Sequence, residues 1–91
     1  MVHARWRIES HIRTRRLGRM ALAHHIGSGE THLLDAASGN ILDHLAGHAD
    51  NSGCSLAELA GEGADGLSEE EIGDILVVLA DAGIVRREYR Q

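Results

Sequence analysis

The chain has 91 residues, so it makes one domain over 1–91, with a core that is aliphatic because only Trp6 and Tyr89 are aromatic. The single Cys54 excludes an intrachain disulfide, no apolar run approaches the ~18 residues of a membrane span, and no signal peptide opens the chain, so a cytoplasmic protein without a membrane partner is expected. The net charge of −5 is unevenly spread: six Arg and one acid in residues 1–25, then twelve acids and no Arg or Lys in 30–82. That is either a basic sheet face beside acidic helices, or two patches for partners of opposite charge.

Residues 4–8 alternate, with Ala4, Trp6 and Ile8 on one side and Arg5 and Arg7 on the other, the period of a half-buried strand. Residues 9–18 are polar and basic and read as loop, with at most a strand around Ile12 and a turn at Leu17-Gly18. Residues 19–26 alternate again. Met20, Leu22, His24 and Ile26 form one face; Ala21, Ala23 and His25 form the other, a face of small side chains. Gly27-Ser28-Gly29 supplies the positive φ angles of a tight hairpin, and residues 30–34 return as a strand.

Asp35 is placed to cap a helix carrying Ala37, Ile41, Leu42 and Leu45 and ending near Gly47. Residues 48–53 read as a polar loop. Two capping boxes follow, Ser55 with Glu58 and Ser68 with Glu71, each with a hydrophobic staple: Cys54 with Leu59, and Leu67 with Ile72. They start helices over roughly 55–62 and 68–82, separated by a glycine-rich linker at 61–66, the second ending at Gly83. Ile84 and Val85 then pack back as a short extended tail. Strand, hairpin and three helices make an α+β fold, winged helix-turn-helix-like, with a three-stranded antiparallel sheet followed by three helices.

The last helix is more apolar than a small core requires. At 100° per residue, Ile72, Ile75, Leu76 and Leu79 already form a core face, yet Val77 and Val78 extend the nonpolar arc to about 260°. Only Asp74 and Asp81 form a polar stripe. Either the sheet, the helices or a second copy covers the excess, or it is one wall of a peptide groove.

No constellation for catalysis or metal binding stands out. His44 and His48 with Cys54 lack a second ligand pair, and His24 and His25 on a strand point to opposite faces. Cys54 in a staple position is a buried apolar group rather than a nucleophile. Gly27-Ser28-Gly29 lacks the lysine of a phosphate loop, and Glu69-Glu70-Glu71 suits the first turn of a helix. No enzyme activity and no cofactor are expected. Arg13, Arg15 and Arg16 form either a solvated loop or a basic substrate patch.

The glycine turn with Thr31-His32-Leu33-Leu34-Asp35, the helix residues Ile41, Leu42 and Leu45, Ser55-Leu56-Ala57-Glu58-Leu59, and Leu79-Ala80-Asp81-Ala82-Gly83-Ile84-Val85 together resemble the PqqD family. Trp6 and Arg7 fit its branch of peptide chaperones associated with HPr-kinase-like proteins. The resemblance implies a non-catalytic recognition element for ribosomally synthesised, modified peptides. Such an element captures the leader segment of a precursor by strand addition and presents it to a modifying enzyme, such as a radical SAM or HPr-kinase-like protein. Carried onto this chain, the edge strand is Thr31, His32, Leu33 and Leu34, and the groove wall is the helix bearing Asp74, Val77, Val78 and Asp81. The Arg-rich segment at 13–19 and the lack of an aromatic in that groove depart from the commoner pattern. The competing readings are a winged-helix DNA-binding regulator, disfavoured because its reading helix is acidic, and a structural subunit whose apolar helix makes a homodimer.

Overall fold

The computed structural model describes residues 3–47, 53–61 and 66–90. Most of the polar loop at 48–53, with His48, and the centre of the glycine linker at 61–66 lie outside these residues. The element order is β1 (His3–Ile8), β2 (Ile12–Leu17), β3 (Met20–His25), β4 (Thr31–Leu34), α1 (Ala36–Ala46), α2 (Leu56–Gly61), α3 (Glu69–Asp81) and β5 (Val85–Arg90).

The three-stranded antiparallel sheet is present, but its first strand is not the one the alternation suggested. Its order is β2-β3-β4. The segment read as loop supplies β2, with Ile12 opposite His25 and Leu17 opposite Met20. Alternation at 12–17 is hidden because Arg16 occupies an inward position. Its guanidinium reaches α1, with Nη2 2.6 Å from Asn40 Oδ1 and Nε 3.3 Å from Asp43 Oδ2. The strand at the start of the chain pairs with β5 instead, in a separate antiparallel ribbon that sets Trp6 opposite Arg87. The expected short tail is thus a six-residue strand.

The small-residue face of β3 is the buried one. Ala21 and Ala23 are almost fully buried, as is Gly39 on the helix laid against them. A Cβ on Gly39 would lie 3.1 Å from that of Ala21, so the glycine lets helix and sheet approach closely. Larger residues face outward, with Met20, Leu33 and Leu17 exposed. The core is aliphatic with Trp6 at its margin: Ile41, Leu42 and Leu45 of α1, Leu59 of α2, Ile72, Leu76 and Leu79 of α3, and Ile84.

The helix ends follow local chemistry. Asp35 caps α1, accepting 2.9 Å from the Ser38 N–H, and Gly47 closes that helix. At α3 both halves of the capping box form, Ser68 with Glu71, and Gly83 beyond the end has φ of 76°. At α2 Ser55 accepts from the Glu58 N–H, but the Glu58 carboxylate is held by Arg5 at 2.9 and 3.2 Å. Arg5 also donates to the Gly53 carbonyl, and Trp6 exchanges backbone hydrogen bonds with Cys54. Together these tie β1 to the segment before α2. No helix among the described residues is long and apolar enough to cross a membrane.

Candidate functional site

Strand β4 has a neighbour only on its β3 side, so its other edge is open among the described residues. The β3–β4 hairpin that presents it closes through the Gly29 N–H on the His25 carbonyl, and Gly29 rather than Gly27 supplies the positive φ. Pairing fixes which edge residues look where. His32 lies opposite Ala23 and Leu34 opposite Ala21, so both stand on the helix-covered face. Thr31 and Leu33 stand on the outer face, where Thr31 Oγ1 lies 2.9 Å from His24 Nδ1 and Leu33 is 60% exposed.

On the inner side His32 belongs to a row of imidazoles, with ring centroids 5.3 Å from His25 and a further 5.4 Å from His25 to His11. Its Nε2 lies 3.4 Å from Glu30 Oε1 without hydrogen-bond geometry. Sequence reading missed this row, because His11 joins it only through the β2–β3 pairing. No group of three potential ligands for one metal ion forms among the described residues.

Both surplus valines of α3 are on the surface, Val77 at 47% and Val78 at 67% exposure. Neither sheet nor helices cover them. They do not share one groove, however. Val78, Ile75 and Asp74 line a cleft of about 260 Å³ with Asp35 and Ser38, the cap and first turn of α1. Val77 and Asp81, with Ala80, line a second of about 290 Å³ with Trp6, Arg87 and Tyr89 of the ribbon. Both are below the roughly 300–1,000 Å³ typical of small-molecule sites, a size that suits single side chains. The expected wall of four residues is therefore divided: Asp74 and Val78 stand beside the segment that continues β4, and Val77 and Asp81 do not.

The first cleft adds three residues to those anticipated: Asp35, Ser38 and Ile75. Asp35 was legible as a cap, and Ile75 falls between Ile72 and Val78 on the helical wheel. Its floor is apolar and its rim acidic. The hydrogen bond from the Ser38 N–H, and with it that from the Ser38 side chain, hold the Asp35 carboxyl below its ordinary value of 3.8, so it is a carboxylate at neutral pH. Asp74 is exposed on the same cleft. An aliphatic stem ending in a cation fits that combination, with methylenes on Ile75 and Val78 and the charge at the rim. The basic patch, by contrast, lies on β2 and its turn, where Arg13, Arg15 and Arg19 are exposed; α3 opens with Glu69, Glu70 and Glu71.

No family model and no curated protein matches the chain. Among solved structures, TbiB1 in complex with the TbiA(beta) leader peptide superposes with a TM-score of 0.70. The alignment covers 88% of this chain and 94% of that one, at 17% sequence identity. This chain shares the TbiB1 fold. The α+β plan of a three-stranded antiparallel sheet with three helices is thus one on which a leader peptide is bound in TbiB1.

Proposed function

We propose that the chain is a non-catalytic peptide adaptor of the PqqD-like kind, with residues 1–91 acting as one binding unit in the cytoplasm. An extended leader segment of a ribosomally synthesised precursor adds to the open edge at Thr31–Leu34. The adaptor then presents it to a modifying enzyme, a radical SAM or HPr-kinase-like protein. Main-chain hydrogen bonds to β4 give affinity, and alternate side chains give specificity. Leader residues on the inner side meet His32, Leu34 and the cleft of Asp35, Ser38, Asp74, Ile75 and Val78. Those on the outer side pass Leu33.

The supporting observation is the juxtaposition of a strand edge that is open among the described residues with an acid-rimmed apolar cleft directly beyond it. The likeness to TbiB1, a leader-peptide complex, adds to it. The test is a fluorescence-anisotropy titration with the leader segment of a candidate precursor peptide, sought among the genes flanking this one. Val78→Asp should weaken binding at least tenfold, about 1.4 kcal/mol, while circular dichroism stays unchanged. Equal binding by a folded Val78→Asp protein would remove the cleft from the site.

A further inference from the structure

The second cleft sets a base, Arg87, and an acid, Asp81, around an apolar and aromatic lining, beside a second strand edge. β1 is flanked on both sides, by β5 along its length and by Cys54 at Trp6, so β5 is the outer strand of the ribbon. Among the described elements β5 pairs only with β1. Its inner face, Val85, Arg87 and Tyr89, turns toward α3, where Val77, Ala80 and Asp81 complete the cleft. Helix α3 thus has an open edge strand associated with each of its two clefts.

The chemistry of this edge is not that of β4. Arg5, Arg7 and Arg86 each have a carboxylate partner, in Glu58, Glu88 and Glu9 respectively. Among the described residues Arg87 has none; its guanidinium lies over the rings of Trp6, at 5.4 Å, and Tyr89, at 5.1 Å. Trp6 is 4% exposed, and its indole N–H is buried without an acceptor among the described residues. The cleft therefore offers a cation with no carboxylate partner among the described residues, on a platform of two aromatic rings. Charged residues on an edge strand repel strands of like charge. Here a second copy of β5 is disfavoured in the antiparallel registers that set Arg86 or Arg87 against an arginine.

We propose that β5 and this cleft take an extended, acidic segment of a partner polypeptide, which adds as a third strand to the ribbon and sets a Glu or Asp side chain against Arg87. The site is separate from the leader groove and independent of it. Trp6, the one tryptophan of the chain, reports on it directly. The probe is a capped octapeptide alternating glutamate and valine, with the lysine–valine octapeptide as its counterpart, titrated while Trp6 emission is followed. The glutamate peptide should change the emission saturably and slow amide exchange at Arg86–Tyr89; the lysine peptide should do neither. Arg87→Glu, at an exposed position, should weaken the glutamate peptide at least tenfold and admit the lysine peptide, whereas Val78→Asp should bind the glutamate peptide as the parent does. The proposal is overturned if the glutamate peptide leaves Trp6 emission and β5 exchange unchanged at millimolar concentration, or if Arg87→Glu binds it equally well.

Discussion

Val77 and Val78 are consecutive on α3, yet they line different clefts: Val78 one with Asp35 and Ser38 at the start of α1, and Val77 one with Trp6 and Tyr89 on the terminal ribbon. One apolar helix therefore borders two clefts, and the two valines should be separable by experiment. Val77→Asp should change leader affinity less than twofold, where Val78→Asp lowers it at least tenfold. Parallel titrations of the two variants with one labelled leader check this, and equal losses would return both valines to one groove.

The acidic rim should select charge. Asp74→Lys places a cation beside Val78 and should weaken a leader carrying Lys or Arg several-fold, with the loss shrinking as salt is raised. Asp81→Lys lies on the other cleft and should leave that affinity unchanged. Titrations at low and high ionic strength distinguish the two.

Gly53 should be intolerant of a side chain. Its φ is +73°, and a Cβ there would lie 2.7 Å from the Trp6 carbonyl oxygen, within the backbone exchange that ties β1 to Cys54. Gly53→Ala should cost at least about 1–2 kcal/mol from the left-handed backbone alone, which for a domain of this size lowers Tm by roughly 4–16 °C. Gly27→Ala is the control: nothing lies within 4 Å of its Cβ and its φ is not positive, so its Tm should stay within a few degrees. Scanning calorimetry of the pair reads the contrast.

Asp35 makes an acid-dependent contribution to stability. Its folded pKa is depressed by the hydrogen bonds from Ser38, so the stabilisation is fully present above the unfolded value near 3.8 and is lost as pH falls through the lower folded value. Asp35→Ala should cost about 1 kcal/mol at neutral pH through the lost cap. Asp35→Ser should retain most of the cap and flatten the acid limb. Urea midpoints measured from neutral pH down to acid check the sign.

Signals confined to a few consecutive residues were legible in the sequence. The Ser68 box, the Asp35 cap, the glycine hairpin and the end of α3 at Gly83 all formed where local chemistry put them. What a distant residue decides was not legible. The Ser55 box is half made because Glu58 is drawn to Arg5, far back in the chain. β2 is masked by Arg16, which leaves the alternation to reach α1. β5 is masked likewise, since Arg87 takes an inward position on which an apolar residue was to be expected. For the site, excess apolar surface on α3 was readable from the helical wheel, but its division between two clefts depends on what packs to either side.

Strand addition at β4 is tested most directly by amide hydrogen exchange, followed by NMR, with and without a saturating leader peptide. The outward-facing amides of Thr31–Leu34 should become strongly protected when the peptide binds, while those of β2, the opposite edge of the sheet, stay as they were. A peptide that binds tightly and leaves the β4 amides exchanging at their free rate would contradict strand addition at this edge.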